Sequence, residues 1–274
     1  MARLSTSPVG LLVGCEIFTS AALILFAIAL CAGMSPGSLE ELAILTTLTE
    51  VDISALTNST LRSSTLATTD WHDLHYLSNC SGMWNRHLAR AGKNRSTVTC
   101  TSQSAGYTFS LAQIVGGGDA GQQLLALNTH HRLTLDTKAP FVLLALGIAS
   151  MGLTVLSFLY GIFVLHAIAR QGGRRGRKEM PLVVLRFGFI LCIASTILLT
   201  ISSAKITASA GKMAGRVQVG GRRNIHAWMD ARFYAVTWVG MAFVWTALGL
   251  VVAAAFKIAD VLEEEKVVQK GRSR

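Results

Sequence analysis

Four long apolar runs, separated by polar segments, dominate the pattern of hydrophobic and polar positions along this chain. Each run exceeds the roughly 20 apolar residues that a helix needs to cross the hydrocarbon core of a bilayer. The runs extend over Pro8–Gly33, Ala139–Ile168, Pro181–Ala204 and Phe233–Phe256. The pattern predicts four transmembrane helices. The charged content of 15% agrees with this prediction, since soluble domains have about 25%.

The first run has some features of a cleaved signal peptide. Arg3 precedes it, and the small residues Ala32, Gly33 and Ser35 follow it. However, the apolar core of a signal peptide has about 7 to 15 residues, and this run is longer. We therefore expect the first run to stay in the membrane as a helix.

Basic residues between the second and third runs give a first indication of orientation. They form the densest basic cluster: Arg170, Arg174, Arg175, Arg177 and Lys178. Short cytosolic loops are enriched in Lys and Arg, so this cluster is predicted to lie in the cytosol. There it would contact anionic lipid headgroups or act only as a topogenic signal. The predicted segments are a cytosolic N-terminus (1–8), spans at 9–33, 139–168, 181–204 and 233–256, extracellular loops at 34–138 and 205–232, a cytosolic basic loop (169–180) and a cytosolic tail (257–274).

The charge of the second predicted outer loop argues against this orientation, because that loop is also basic. It contains Lys205, Lys212, Arg216, Arg222, Arg223 and Arg232. The positive-inside rule alone therefore leaves the topology open.

The chemistry of the first polar loop favours an extracellular or lumenal position for it. The loop has three N-x-S/T triplets, which begin at Asn58, Asn79 and Asn94 and predict a glycoprotein. It also has Cys80 and Cys100, the two cysteines outside the apolar runs. Such a cluster is typical of an oxidising compartment, where a Cys80–Cys100 disulfide closing about 20 residues would contribute roughly 3 kcal/mol. Two free thiols, or a zinc site with His72, His75 and His87, are the alternatives.

Periodicity within the same loop predicts ordered structure. Leu39, Leu42, Leu45 and Leu48 recur every three residues and predict a short amphipathic helix. Residues 96–110 are rich in strand-forming types around Gly106. The predicted fold is an all-α transmembrane four-helix bundle with a large disulfide-bonded extracellular loop that contains a small antiparallel β-sheet.

The order of these motifs resembles the fungal Sur/PalI family, whose four-span members are cortical-patch and pH-response proteins and are distantly claudin-like. A leucine-rich stretch ends in a V-D-x-S pattern, an aromatic stretch leads into C-x-G, and a second cysteine precedes an aromatic residue. The matching residues are Val51, Asp52, Ser54, Tyr76, Cys80, Gly82, Cys100 and Phe109. The resemblance implies a plasma-membrane protein of the cell cortex, such as an eisosome component.

Two features inside the predicted spans suggest contacts between helices. Glu16 and Arg186 have opposite charges and similar predicted depths, so we expect an intramembrane ion pair. Gly10 and Gly14 form a G-x-x-x-G pattern, which permits close approach of another helix. Further glycines, Gly147, Gly152, Gly161, Gly240 and Gly249, are interpreted in the same way.

Catalysis finds little support in the sequence. Asp70, His72, Asp73 and His75 could carry out acid–base chemistry, but no nucleophile or phosphate-loop motif accompanies them. No catalytic residues, cofactor or metal are therefore predicted. The net charge of +10 is spread over both membrane faces, so nucleic acid is not an expected partner. The expected partners are membrane lipids and other membrane proteins, and a second copy of the chain is one candidate among the latter.

Three functions are compatible with these features. The first is a non-enzymatic plasma-membrane organiser, as the cortical-patch resemblance implies. The second is an accessory subunit of an ambient-pH sensing complex, as the PalI resemblance implies. The third is a transporter or channel component, or a mating membrane-fusion protein. The small number of intramembrane ionisable residues argues against transport.

Overall fold

The computed structural model has four helices that are long and apolar enough to cross a membrane. It describes residues 8–34, 39, 42–49, 71–84, 95–102, 107–110, 134–170, 179–219 and 225–272. The helices are α1 (Pro8–Cys31), α2 (Lys138–Arg170), α3 (Glu179–Val219) and α4 (Ala231–Arg272). By length and composition, the candidate membrane spans within them are Gly10–Cys31, Lys138–Val164, Val183–Val217 and Ala231–Ala259. The prediction of a multi-pass membrane protein with four helices is confirmed.

In the described part of the chain, seven short strands lie between the helices. They are β1 (Leu45–Thr49), β2 (Trp71–Leu74), β3 (Ser78–Trp84), β4 (Arg95–Ser102), β5 (Thr108–Ser110), β6 (Thr134–Asp136) and β7 (Ile225–Trp228). Five of them form an antiparallel sheet in the order β4-β3-β2-β1-β7, and β5 pairs with β6. The predicted small antiparallel sheet is confirmed, with β7 added from the segment between α3 and α4.

The amphipathic helix predicted from the leucines is wrong, because Leu45–Thr49 is the strand β1. This strand lies between β2 and β7, and Leu45, Thr46 and Thr47 are all fully buried. A strand hydrogen-bonded on both sides and covered on both faces does not need polar–apolar alternation. The leucines spaced three residues apart therefore belong to a buried strand and to the segment that precedes it.

Helix α3 is longer than the apolar run that predicted it. The run ends at Ala204, but the helix continues to Val219, into the segment predicted as the second outer loop. The extension is rich in alanine and has no proline, which favours a helix. Buried residues at helical spacing, Ile206, Ala210, Met213 and Val217, give the extension an apolar face.

The chain divides into two compact units. The first comprises Met1–Ala27, Leu144–Thr200 and Trp238–Arg274, and the second comprises Ile28–Leu143 and Ile201–Thr237. In the first unit, a core cluster joins three helices through Cys15 of α1, Phe158 of α2, and Ala247 and Val251 of α4. Leu185 and Phe189 of α3 pack against this cluster. All four helices therefore meet around one core in this unit.

Glycines make several of these helix contacts possible. A Cβ on Gly188 of α3 would lie 2.8 Å from Cε1 of Phe158, and a Cβ on Gly161 of α2 would lie 2.9 Å from Cδ2 of Leu185. On α1, a Cβ on Gly14 would lie 3.3 Å from Cδ1 of Leu250 in α4, so the G-x-x-x-G segment packs against another helix of the same chain. Gly147 and Gly240 also have close neighbours, whereas Gly152 and Gly249 have none within 4 Å.

The predicted Glu16–Arg186 ion pair is not formed. Glu16 is only 9% exposed, and neither of its carboxylate oxygens has a hydrogen-bond partner in the part of the chain that the structure describes. Arg186 is exposed on the face of α3 that also exposes Val183 and Ile190. The prediction rested on opposite charge and on matched depth in the membrane. An ion pair also requires that the two side chains point towards each other.

Substitution of Gly188 by Ala is expected to destabilise the helix packing. Alanine favours a helix by about 1 kcal/mol relative to glycine, but overpacking a core costs about 1–3 kcal/mol. The added methyl group would meet the rigid, buried ring of Phe158. Thermal unfolding of the purified protein in detergent should show a lower midpoint for Gly188→Ala. Gly152→Ala is the matched control, and its midpoint should stay unchanged or rise. A midpoint for Gly188→Ala at or above that of the control would contradict this account.

Candidate functional site

The hairpin turn between β2 and β3 is the best-defined polar and aromatic site in the second unit. Strand pairing ends at Leu74 and Asn79, and the backbone N–H of His75 donates to the carbonyl of Ser78 at 3.0 Å. The turn, His75–Ser78, therefore closes the hairpin tightly. His75, Tyr76 and Ser78 are all nearly fully buried, which is unusual for a turn.

The turn is bonded to the segment that follows α1. The hydroxyl of Ser78 donates to the carbonyl of Gly33 at 2.6 Å. Gly33 has a φ of 71°, in the left-handed region that favours glycine just after a helix. A Cβ at this position would lie 2.6 Å from both Cγ and Nε2 of His75. Both the backbone conformation and the packing therefore require glycine at position 33.

The imidazole of His75 also fixes the chain that leads into β1. Its Nδ1 lies 3.2 Å from the carbonyl oxygen of Leu42. A carbonyl only accepts hydrogen bonds, so Nδ1 carries the proton. Two residues later, the N–H of Ile44 donates to the carbonyl of Leu74 at 2.7 Å. The ring thus lies between the end of α1 and the start of the sheet.

Tyr76 places an aromatic ring between the starts of α2 and α4 and the middle of α3. Its ring centroid lies 6.4 Å from that of Phe141 in α2 and 6.0 Å from that of Phe233 in α4. Its hydroxyl is hydrogen-bonded to Ser202, midway along α3, which itself donates to the carbonyl of Pro140 at 2.7 Å. Burial raises the pKa of Tyr76 above its ordinary value. With Gly33 included, the turn contacts residues of α2, α3 and α4 and the segment that follows α1.

Tyr107 connects the same turn to the start of α2. Its hydroxyl lies 2.8 Å from the carbonyl of His75 and 3.1 Å from that of Ser78, and donates its proton to these oxygens. The carbonyl of Tyr107 accepts from the hydroxyl of Thr137 at 2.6 Å. Burial raises the pKa of the Tyr107 hydroxyl, which therefore stays protonated as a donor.

Aspartates cap the two helices that begin at this end. Asp136 Oδ1 accepts from the N–H of Lys138 at 3.0 Å at the start of α2, and Asp230 Oδ1 accepts from the N–H of Arg232 at 2.8 Å at the start of α4. These side chains satisfy donors that a helix leaves unpaired. The hydroxyl of Tyr234 then donates to the carbonyl of Ile44 at 3.1 Å, which connects α4 to the sheet.

A disulfide joins β3 to β4, as predicted. Cys80 and Cys100 are directly opposed in the sheet, with Cα atoms 4.0 Å apart. Both thiols are therefore unavailable as zinc ligands, which removes the predicted alternatives of a zinc site and of free thiols. Within the described residues, no group of three His, Cys, Asp or Glu could hold a metal ion. His87 lies outside those residues.

Residues considered for acid–base chemistry are buried in the sheet. The hydroxyl of Thr46 donates to Oδ1 of Asp73, its directly opposed neighbour, and Asp73 is 1% exposed. His72 is 8% exposed, and burial lowers its pKa to about 4. Neither group faces an open cleft, so their arrangement supports the sheet. Asp70 lies outside the described residues.

The other predicted site residues are only partly described. Asn79 is half-buried in β3, and its carbonyl accepts from the hydroxyl of Thr101 at 3.2 Å. Gly82 lies next to a shift in register between β3 and β4. Arg170 ends α2. The remaining predicted residues lie outside the described part of the chain: Val51, Asp52, Ser54, Asn58, Asn94, Arg174, Arg175, Arg177 and Lys178.

The contacts that join the turn to the helices were not predicted from the sequence. The signal for Gly33 was present, since a glycine directly after a long apolar run is a common helix end. Tyr76 was named only as a residue of the family motif, and no local signal indicates the partners of Tyr76 or Tyr107, because these partners lie on distant segments.

Comparison with known proteins gives the family. The model of the SUR7/PalI family matches residues 13–255, from the start of α1 into α4. The chain belongs to the SUR7/PalI family. Searches of curated proteins and of solved structures gave no significant match. The resemblance inferred from the motifs is thus confirmed. Within this SUR7/PalI protein, the stretch that leads into Cys80 contains the hairpin turn.

Replacing Gly33 by Ala is expected to disrupt the contact between α1 and the turn. A left-handed conformation costs a residue with a side chain roughly 1–2 kcal/mol, and the clash with His75 adds to this cost. Limited proteolysis of the purified protein should cleave Gly33→Ala faster than the wild type. Gly215→Ala is the control, because a Cβ there would have no neighbour within 4 Å. Equal cleavage rates for the two variants would argue against the assigned role of Gly33.

The low pKa of His72 predicts a loss of stability in acid. The folded protein binds this proton only near pH 4, whereas a histidine in the unfolded chain binds it near pH 6.5. The unfolded state therefore holds more protons between these values, and stability falls as the pH decreases through this window. The slope contributed is at most about 1.4 kcal/mol per pH unit. Unfolding midpoints measured from pH 7 to pH 4 should fall less steeply for His72→Gln than for the wild type. The exposed His226 provides the control, His226→Gln, which should keep the wild-type slope.

Proposed function

We propose that this SUR7/PalI family protein is a non-enzymatic organiser of plasma-membrane domains at the cortex of a fungal cell. The observation that carries the proposal is the hairpin turn, which contacts residues of α2, α3 and α4 and the segment after α1, while the sheet continues beyond it. A sheet attached in this way keeps a defined position against the helix residues of its own unit, Ile28–Leu143 and Ile201–Thr237. Such a platform is suited to lateral contacts with neighbouring proteins or the cell wall.

The surface of the sheet supports a role in binding. On β3 and β4, the hydroxyls of Ser81 and Thr99 lie 3.3 Å apart, and Thr99 and Thr101 are exposed. Strands β4 and β7 form the two edges of the five-stranded sheet. Exposed edges and polar faces are features that other chains can recognise through hydrogen bonds. The buried positions of His72 and Asp73 give no support to catalysis.

The proposed topology places the sheet outside the cell and both termini in the cytosol. The Cys80–Cys100 disulfide supports this orientation, because such bonds persist in oxidising compartments. Asn58, Asn79 and Asn94 would then be exposed to the glycosylation machinery in the same loop.

A second candidate is an accessory subunit of an ambient-pH sensing complex. The family joins SUR7 and PalI proteins under one description. A buried histidine whose pKa is lowered to about 4 also makes the stability of the sheet sensitive to pH in the acidic range, between about pH 4 and 6.5. This role would require a partner that recognises the same sheet.

Imaging of a fluorescently tagged chain in fungal cells distinguishes these roles. The organiser role predicts static patches at the cell cortex, which Cys80→Ser with Cys100→Ser should disperse because the β3–β4 pairing is weakened. Cys31→Ser is the control, since Cys31 is an exposed free cysteine, and patches should persist. A uniform distribution together with failure to grow at alkaline pH on deletion would favour the sensor subunit. Retention of the wild-type chain in the endoplasmic reticulum, without either phenotype, would count against both roles.

A further inference from the structure

The sheet-side end of α3 carries a basic face that the proposed function does not use. Lys205, Lys212 and Arg216 are all exposed. Their spacing of seven and four residues places them within about 40° of one another around a helix with 3.6 residues per turn. Ser209 lies on the same side. We refer to Lys205, Ser209, Lys212 and Arg216 as the basic face.

A cavity opens at this face between α3 and β6. Its volume is about 170 Å³, and Ser209, Lys212, Met213 and Arg216 of α3 line it together with Thr134 and Asp136 of β6. One water needs roughly 10–15 Å³ by this kind of measure, so the space admits a polar group of several atoms. Two cations and two hydroxyls converge on it. The carboxylate of Asp136 is engaged through Oδ1 by the N–H of Lys138.

The chemistry of this lining matches a phosphate group. A guanidinium presents paired N–H donors that fit phosphate oxygens, and an ammonium adds a charged donor. The hydroxyls of Ser209 and Thr134 can donate to the remaining oxygens. The lining thus combines positive charge with hydrogen-bond donors.

The position of the face indicates a membrane lipid as the source of the phosphate. Apolar residues, including the exposed Ile201, precede Lys205 on α3, and the candidate span Val183–Val217 has more residues than a bilayer core requires, so we place the membrane surface near this lysine. Lys212 follows about 10 Å further along the axis, since each residue adds about 1.5 Å. Side chains of a helix lean towards its N-terminus, so Lys212 and Arg216 lean back towards the membrane. Long basic side chains extend readily in this way towards a membrane surface.

We propose that Lys212 and Arg216, with Ser209 and Thr134, bind the phosphate of an anionic phospholipid headgroup at the sheet-side membrane surface. The acyl chains would lie along the exposed apolar surface that ends at Lys205. This site is separate from the cluster at Arg170–Lys178, which follows α2. The proposal does not depend on the organiser role.

Photo-crosslinking tests the site directly. The full-length protein in detergent micelles is irradiated with a diazirine-bearing phosphatidic acid, and the labelled peptides are identified by mass spectrometry. Label is expected on α3 around residues 205–216 and should fall about tenfold or more in Arg216→Gln with Lys212→Gln, because two charged hydrogen-bond donors are lost. Label at the Arg170–Lys178 peptides provides an internal reference and should not change.

Matched variants and competitors complete the test. Arg216→Lys, which keeps the positive charge, should retain more label on α3 than the double variant Arg216→Gln with Lys212→Gln. Arg232→Gln, which removes a basic residue at the start of α4, should leave the label on α3 at the wild-type level. Unlabelled phosphatidic acid should compete, whereas diacylglycerol with the same chains should not. Competition by inorganic phosphate at equal concentration would show a free-phosphate site and overturn the lipid assignment. An equal loss of label in Arg232→Gln would show unspecific charge attraction and overturn the site.

Discussion

Burial of the hairpin turn His75–Ser78 against residues of α2, α3 and α4 is the interaction on which the sheet depends. The strands are only three to eight residues long. Small sheets of this kind need packing against another element for stability. Tyr76 supplies that packing, while Ser78 and Tyr107 supply polar connections to Gly33 and to the start of α2. The carbonyl of His75, at the start of the turn, accepts its hydrogen bond from Tyr107.

The disulfide acts at a different place from the turn. It joins β3 to β4, for which β3 is the one neighbouring strand among the described residues. Strands β1 and β2, by contrast, pair on both sides and lie next to the residues that contact the helices. The covalent bond therefore secures the edge that tertiary packing supports least. The packing of the turn stabilises the central strands, and the disulfide stabilises the edge strand. The sheet therefore has a disulfide although its central strands are already buried.

Sequence analysis predicted those features that depend on local pattern. The length of the apolar runs predicted the spans, and strand-forming residues at 96–110 predicted strands in the region of β4 and β5. It failed where structure depends on distant partners. Thr49 pairs with Ile225, more than 170 residues away, so no local pattern indicates that β7 joins β1. Glu16 and Arg186 failed as a pair for a related reason, since depth along a helix does not determine which face a side chain occupies.

The basic residues after the third span bear on both the proposed topology and the proposed phosphate site. Positive charges near a span favour the cytosolic side, yet Lys205, Lys212 and Arg216 belong to the same compact unit as the disulfide-bonded sheet. In the proposed topology these charges are retained outside against that tendency. If these basic residues had no function, there would be no reason for them to lie on one face of a helix, beside a cavity lined by two hydroxyls. Phosphate binding does give such a reason, because the contacts that neutralise the charges also require them to lie on one face.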